Sequence, residues 1–220
     1  MADVVIFGTR DFASLAHSYL RREGEHRVVA FTVHRAFLPE TPTFEGLPVV
    51  PCEELDRRYP PGQVWAFAPM SHRKMNTLRA AVYNELRGRG YRLLTYVSPR
   101  AATFPDLQIG DNCFVLEQAI LQPFVKIGAN VMIWSGAHVG HHSTVEDHAF
   151  LAPCAAVSGH CTIGRSAFLG IHSTVRDRVR VAEGTLVGMG AIVARDTQPY
   201  SVYRAAATPA AADRSLDLDF

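Results

Sequence analysis

The stretch "IGANVMIWSGAHVGHHSTVEDHAFLAPCAAV", residues Ile127 to Val157, decides the fold because it repeats with a period of six. Every sixth residue from Ile127 is aliphatic, and the residue four places after each aliphatic one is small or β-branched. Residues two apart in an extended chain share a face, so the small residue and the next aliphatic residue point to the same side. Each hexapeptide is therefore one short strand followed by one corner.

The period of six continues beyond this stretch without insertion or deletion. From Ile109 to Val193 all fifteen sixth positions are aliphatic, and weaker hexapeptides begin at Val97 and Thr103. The ten glycines between residues 109 and 192 stand one to three places after an aliphatic residue, where a turn needs permissive backbone. A repeat of this length is typical of a parallel β-helix, in which successive coils bury one another's faces.

The chain before residue 97 follows a different pattern, in which short apolar runs alternate with helical stretches. This alternation favours a small α/β unit with a parallel sheet. Strands are predicted at 3–8, 27–33, 63–69 and 92–97, helices at 11–22 and 75–90, and proline- and glycine-rich loops at 39–48 and 60–61. We therefore expect an α/β domain over 1–96, a β-helix over 97–198 and a tail over 199–220.

The composition excludes several classes of function. The net charge of the 220 residues is +1, and the densest basic cluster is Arg176, Arg178 and Arg180, so no nucleic-acid partner is expected. No apolar run approaches the ~18 residues that span a membrane, and the start lacks the features of a signal peptide. We therefore expect a cytoplasmic protein without a membrane partner. The four cysteines show no CxxC spacing, so they predict neither disulfides nor zinc.

The chain resembles bacterial nucleotide-sugar N-acetyltransferases, the group that includes sialic acid O-acetyltransferase-like proteins. The resemblance rests on the hexapeptide repeat and on four segments, "VVIFGTRDFASLAHSYL" at 4–20, "MNTLR" at 75–79, "SGAHVGHH" at 135–142 and "SGHCTIG" at 158–164. It implies a small Rossmann-like α/β domain followed by a left-handed parallel β-helix with eighteen residues in each coil.

The resemblance also implies an activity and its partners. The expected reaction is direct transfer of an acetyl group from acetyl-CoA to a nucleotide-linked amino-deoxy sugar, in surface polysaccharide or glycoconjugate synthesis. The expected assembly is a homotrimer that binds acetyl-CoA between neighbouring β-helices and admits the nucleotide sugar from the first domain. The implied coenzyme contacts are Gly159, Gly170, Ile171 and Gly188.

The implied nucleotide-sugar contacts lie mainly in the first domain. The turn Gly8-Thr9-Arg10 follows a strand and opens a helix, so its backbone N–H groups could hold a pyrophosphate. The remaining implied contacts are Ser71, Asn76, Arg79 and His142.

Four of the ten histidines lie between Gly136 and His148. The register places His141 and His142 at one corner and His160 at the same corner one coil further, with the rings of His142 and His160 about 5 Å apart. The family pattern implies that His141 is the general base that removes a proton from the sugar ammonium. Many relatives carry a carboxylate directly after the base, whereas here the orienting group stays open among Glu146, Asp147, a backbone carbonyl or none, and His142 could take over that role.

Three other functions stay open at this point. An O-acyltransferase of a sugar or sialic acid would use the same base on a hydroxyl, and a sugar-nucleotide binding module would use none. The third alternative is a metalloprotein of the β-helical carbonic anhydrase type. Zinc needs three converging protein ligands, and the sequence places only His142 and His160 at matching corners. No metal is therefore expected.

Overall fold

The first part of the chain forms a mainly parallel sheet whose strands lie in the order 43–44, 47–51, 27–33, 3–7, 65–67 and 92–93. The computed structural model describes residues 1–23 and 25–209, so the predicted tail lies partly outside the described residues. The strands are β1 (Asp3–Phe7), β2 (Arg27–Val33), β3 (Thr43–Phe44), β4 (Leu47–Pro51), β5 (Trp65–Phe67) and β6 (Arg92–Leu93), and the helices are α1 (Asp11–Glu23), α2 (Leu55–Arg58) and α3 (Thr77–Gly88). The four predicted strands and two predicted helices have counterparts here.

The hairpin of β3 and β4 replaces the loop predicted over 39–48. Glu45 and Gly46 adopt positive φ angles of 49° and 76°, which closes a tight turn between the two strands. Val49 and Val50 are buried and pair in parallel with β2. Burial of these valines in the core of the sheet outweighs the strand-breaking tendency of the prolines, on which the prediction of a loop rests.

From Tyr96 the chain winds into a parallel β-helix with three sides. Successive coils pair with a register of eighteen residues, as in Lys126 with Thr144 and Thr144 with Thr162. Side one contains β7 (Tyr96–Val97), β9 (Phe114–Val115), β12 (Met132–Ile133), β15 (Phe150–Leu151), β18 (Phe168–Leu169), β21 (Leu186–Val187) and β23 (Val202–Tyr203). Side two contains β10 (Ile120–Leu121), β13 (His138–Val139), β16 (Ala156–Val157), β19 (Thr174–Val175) and β22 (Ile192–Val193). Side three contains β8 (Gln108–Ile109), β11 (Lys126–Ile127), β14 (Thr144–Val145), β17 (Thr162–Ile163) and β20 (Arg180–Val181).

The interior of the β-helix is the one that the period predicts. Aliphatic positions such as Val115 and Leu121 and small positions such as Ala119 have no exposed surface. The corners differ from the prediction, because from Asn112 to Gly190 left-handed backbone falls on the third residue after each aliphatic one, and most of these residues are not glycine. Glycine directly after an aliphatic residue is required by the close approach of the next coil and not by a left-handed backbone. At Gly128, for example, a Cβ would lie 2.7 Å from the backbone nitrogen of Asp147 in the next coil.

The α/β unit packs on side one and on the corner between sides three and one. On side one, the ring of Phe12 in α1 lies 5.3 Å from that of Trp134. At the corner, Arg79 in α3 donates to the carbonyl oxygens of His148 at 2.6 Å and Asn130 at 3.3 Å. Asn76, just before α3, donates to the carbonyl oxygen of Ser166 at 2.9 Å. Helix α3 is therefore fastened to three successive coils.

The last coil is shorter than the others, since Leu186 pairs with Val202, sixteen residues further along the chain. The shortened turn covers the outer edge of β20. Asp196 Oδ1 accepts a hydrogen bond from the backbone nitrogen of Arg180, and Thr197 Oγ1 accepts one from that of Ala182, both at 2.8 Å. Across residues 1–23 and 25–209, no helix has the length and apolarity that a membrane crossing requires.

Candidate active site

Three imidazole rings meet at the corner between sides two and three. The rings of His142 and His160 stack with centroids 4.8 Å apart and planes 15° apart, as the register predicts. The ring of His141 stands perpendicular to both, at centroid distances of 5.2 and 5.1 Å. All three residues are exposed. The corner thus presents a compact cluster of proton-accepting nitrogens to solvent.

The orientation of His141 is set by its neighbours at this corner. Its backbone nitrogen donates to Gln122 Oε1 at 2.9 Å, and its Nδ1 lies 3.0 Å from Nδ1 of His142. The ring lies over Gly159, where an added Cβ would come within 2.8 Å of His141 Nε2. The absence of a side chain at Gly159 therefore makes room for the His141 ring.

Of the groups considered as the partner of His141, the structure places His142 beside it. Glu146 and Asp147 lie at a different corner, where Glu146 Oε2 accepts from the backbone of Arg165 and Asp147 Oδ1 from that of Ala129. An aromatic contact holds His142 on its other side, because the ring of Phe124 lies 4.5 Å from it. His142 is therefore sandwiched between Phe124 and His160.

His160 is the third member of the cluster and has a lowered pKa. Partial loss of hydration lowers the pKa of this imidazole, and the positive charge of Arg178 one coil further lowers it again. The lowered pKa favours the neutral ring, which has a lone pair to offer.

The expectation that only two histidines converge at this corner is wrong. Each ring of His141, His142 and His160 offers one nitrogen, and these three atoms all lie within 4.8 Å of one another. Sequence reasoning counted only residues in the same register position, and so missed that adjacent His141 turns its ring toward the stack. The left-handed backbone of His142, with φ of 60°, brings the two neighbours together.

Sequence reasoning also missed a second polar cluster, in the α/β unit. His34 follows β2, Cys52 follows β4, and both contact Glu85 of α3, at 2.8 Å from His34 Nε2 and 3.4 Å from Cys52 Sγ. Burial raises the pKa of the Cys52 thiol to about 11. Arg89 also donates to Cys52 Sγ at 3.1 Å, so the cluster is an internal network. His34 and Cys52 follow two neighbouring parallel strands, which is a sequence feature that could have linked these two, whereas nothing in the sequence pattern points to Glu85.

The implied coenzyme residues lie along both edges of side two. Gly159 stands at the histidine corner, whereas Gly170, Ile171 and Gly188 stand at the corner between sides one and two. A Cβ at Gly170 would lie 2.6 Å from the backbone nitrogen of Met189, so coil stacking alone already requires glycine there. Between the two corners, side two exposes small or apolar residues such as Ala156 and Ile192. Side two therefore presents a strip of partly or fully exposed side chains between the two corners.

The implied nucleotide-sugar residues fall into two groups. Gly8, Thr9, Arg10 and Ser71 are partly or fully accessible to solvent. Their two loops approach one ring of side one, because Phe12 and His72 both lie against Phe150, at centroid distances of 6.5 and 5.1 Å.

Asn76 and Arg79 require a correction, because both are completely buried. Their polar atoms are engaged with each other at 2.9 Å and with carbonyl oxygens of the β-helix. Neither side chain therefore presents a surface to a nucleotide. Both residues join α3 to the β-helix instead.

Within one chain the accessible loops and His141 face away from each other. The loops lie over side one, and the corner that carries His141 joins the other two sides. In a three-sided coil that corner is opposite side one. One chain alone therefore does not bring the two groups together.

A family model for the bacterial transferase hexapeptide, described as six repeats, matches residues 106–140 and 124–159. The chain carries the bacterial transferase hexapeptide repeat. Comparison with curated proteins gives no match to this hexapeptide-repeat chain.

Solved structures match the hexapeptide-repeat chain over nearly its whole length. Perosamine N-acetyltransferase from Caulobacter crescentus, in complex with CoA and GDP-perosamine, is 27% identical, with 92% of this chain and 93% of that chain covered and a TM-score of 0.80. Two of its structures carry asparagine or alanine in place of one histidine. The predicted resemblance to nucleotide-sugar N-acetyltransferases and the predicted fold, a Rossmann-like unit followed by a left-handed β-helix, are confirmed.

Two more distant matches support the fold. The acetyltransferase domain of PglB from Neisseria gonorrhoeae, in complex with acetyl coenzyme A, is 19% identical, with coverage of 91% and 95% and a TM-score of 0.80. WeeI from Acinetobacter baumannii is 20% identical, with coverage of 91% and 98% and a TM-score of 0.63. Both matches cover the α/β unit and the β-helix together, so they support the overall fold.

Proposed function

We propose that this chain transfers the acetyl group of acetyl-CoA to the amine of a nucleotide-linked amino sugar, for surface polysaccharide or glycoconjugate synthesis. One observation carries the proposal: an exposed histidine lies over a glycine at a β-helix corner. The chain that holds it superposes over 92% of its length on an N-acetyltransferase solved with CoA and GDP-perosamine. Since acetyl-CoA and nucleotide sugars occur inside cells, the cytoplasm is the proposed location.

His141 acts as the general base in this proposal. When its Nδ1–H donates to Nδ1 of His142, the lone pair of its Nε2 is free to accept a proton. The sugar amine loses that proton to His141 as its nitrogen bonds to the thioester carbon. The carbon–sulfur bond then breaks, and the thiolate leaves without needing an acid. A positioned base of this kind contributes roughly 10²–10⁴-fold to the rate.

The working unit in this proposal is a homotrimer in which each site forms between two copies. Residues 1–96 supply the nucleotide-sugar contacts, through Gly8, Thr9, Arg10 and Ser71, and residues 97–198 supply the coenzyme contacts and His141. Because the loops over side one and His141 face apart in one chain, a second copy must bring its histidine corner to the loops. The exposed apolar residues of side two and its edge, among them Ile192 at 75% and Met189 at 71% exposure, support a covering neighbour.

An assay of CoA thiol release tests the proposed function. The protein is given acetyl-CoA and UDP-, dTDP- or GDP-linked amino sugars, each beside the same sugar with a hydroxyl in place of the amine. We expect release only with an amino sugar. Release with the hydroxy sugars would make the protein an O-acyltransferase, and nucleotide-sugar binding without any release would make it a binding module.

A further inference from the structure

His141 and His142 present the same kind of nitrogen to each other. Their Nδ1 atoms are 3.0 Å apart, which is hydrogen-bond distance. A neutral imidazole has one N–H donor and one lone-pair acceptor, and two lone pairs at this distance would repel each other. Either one of the two nitrogens carries a hydrogen that the other accepts, or both lone pairs bind one metal ion of a kind that prefers imidazole ligands.

His160 supplies the third ligand that a metal ion needs. One of its nitrogens lies within 4.8 Å of the ligand nitrogens of His141 and His142, and all three side chains are exposed. The lone pair of an imidazole lies in the plane of its ring, so the 15° stack of His142 on His160 must open for both to bind one ion. The terminal torsion of histidine is broad, and exposed rings reorient rapidly, so this change is small.

We propose that His141, His142 and His160 together bind one divalent transition-metal ion such as Zn²⁺, and that the bound ion blocks the base. Three histidines and one water complete the tetrahedral coordination of zinc, and imidazole also suits copper and nickel. The ion is an inhibitor here and takes no part in acetyl transfer, because it occupies lone pairs of the cluster that accepts the proton. The blocking effect rests on the proposed function, whereas the binding of the ion does not.

Calorimetric titration of the full-length protein with ZnCl₂ tests the site without any assay of activity. The informative variant is His160→Gln, which keeps the His141–His142 pair and removes the third ligand. The matched control is His172→Gln, since His172 is also an exposed corner histidine with positive φ, at another corner. We expect one Zn²⁺ per chain, affinity at least tenfold weaker in His160→Gln, and unchanged affinity in His172→Gln.

Three results would overturn the proposal. The site is refuted if the wild-type protein binds no Zn²⁺, or if His160→Gln binds it as tightly as the wild type. The blocking effect is refuted if the Zn²⁺-saturated protein keeps its rate of acetyl transfer. If the protein binds Zn²⁺ at these histidines but acetylates no amino sugar, the metal site is confirmed and the proposed function is refuted. Failure of the metal site and failure of the proposed function are therefore distinguishable.

Discussion

Arg79 donates a 2.6 Å hydrogen bond to the carbonyl oxygen of His148, and this contact joins helix α3 to a corner of the β-helix. The guanidinium is completely buried, and its described partners are all carbonyl or amide oxygens. Burial lowers the pKa of Arg79 to about 9. The buried cation of Arg79 and the backbone oxygens around it are therefore one of the contacts that place the α/β unit against the β-helix.

Replacing Arg79 with methionine should lower the free energy of unfolding by about 3 kcal/mol, because buried carbonyl oxygens lose their donor. Urea denaturation measures the change. The control is Arg73→Met, which alters an exposed residue just before α3 and should change stability by less than about 0.5 kcal/mol. A loss below about 1 kcal/mol for Arg79→Met would show that solvent or other donors satisfy these carbonyls.

His148 predicts a pH dependence of stability. Burial lowers the pKa of this histidine to about 4, so the folded protein holds it neutral. The unfolded chain protonates it below about pH 6.5. Protons then bind preferentially to the unfolded state, so stability should fall as the pH drops from about 6.5 to about 4. Melting temperatures across this range should show a shallower fall in His148→Gln than in the wild type, and equal slopes would contradict the assignment.

Two glycine substitutions separate a functional role from a structural one. In Gly159→Ala the new methyl group meets the ring of His141, so we expect the turnover rate to fall at least tenfold with little change in melting temperature. In Gly170→Ala the methyl group meets backbone of the next coil at 2.6 Å, so we expect a lower melting temperature. Full turnover in Gly159→Ala, or an equal loss of stability in both variants, would contradict the separate roles assigned to these two glycines.

His142→Asp should change the pH profile of acetyl transfer. A carboxylate beside an imidazole favours the protonated form, and a general base must be unprotonated to work. The acid limb of the profile of kcat/KM should therefore move to higher pH than in the wild type. His142→Asn, which carries no charge, is the control and should leave the limb nearly in place. Identical shifts in both variants would indicate that His142 affects His141 through packing only.

The proposed trimer depends on side two of the β-helix. Ile192→Glu puts a charge at an exposed position of side two and should leave mainly monomers in light scattering at micromolar concentration. Phe37→Glu, at an equally exposed residue of the α/β unit, is the control and should keep the trimer. Monomers in the wild type with full activity would refute the trimer.

The sequence predicts best where one repeated rule decides which way a side chain points. Val139 and Val157 are buried one coil apart, and His142 stacks on His160, because a period of six fixes sides and corners together. It predicts poorly where distant segments meet. The residues near Arg79 in the chain do not show that the carbonyl oxygens of Asn130 and His148 need a hydrogen-bond donor. An arginine on a helix is therefore predicted to be exposed.

The same limit explains the third histidine at the candidate site. Residues 141 and 142 occupy different register positions, and the turn of His141 toward the stack depends on Gly159 in the next coil. The pattern within one hexapeptide cannot predict the contact between His141 and Gly159, because these residues belong to different coils. The family pattern predicts His141 as the base from its position in the sequence alone. Prediction of the side chains that surround His141 requires knowledge of how neighbouring coils pack.

The shortened last coil also bears on the behaviour of the protein at high concentration. A parallel β-helix ends in strands whose unpaired N–H groups form a template on which another molecule can add strands and grow a fibre. Asp196 and Thr197 occupy the donors of the last strand on side three, at the backbone nitrogens of Arg180 and Ala182. On side three, an added strand from another molecule would therefore have to displace these two side chains before it could pair with β20.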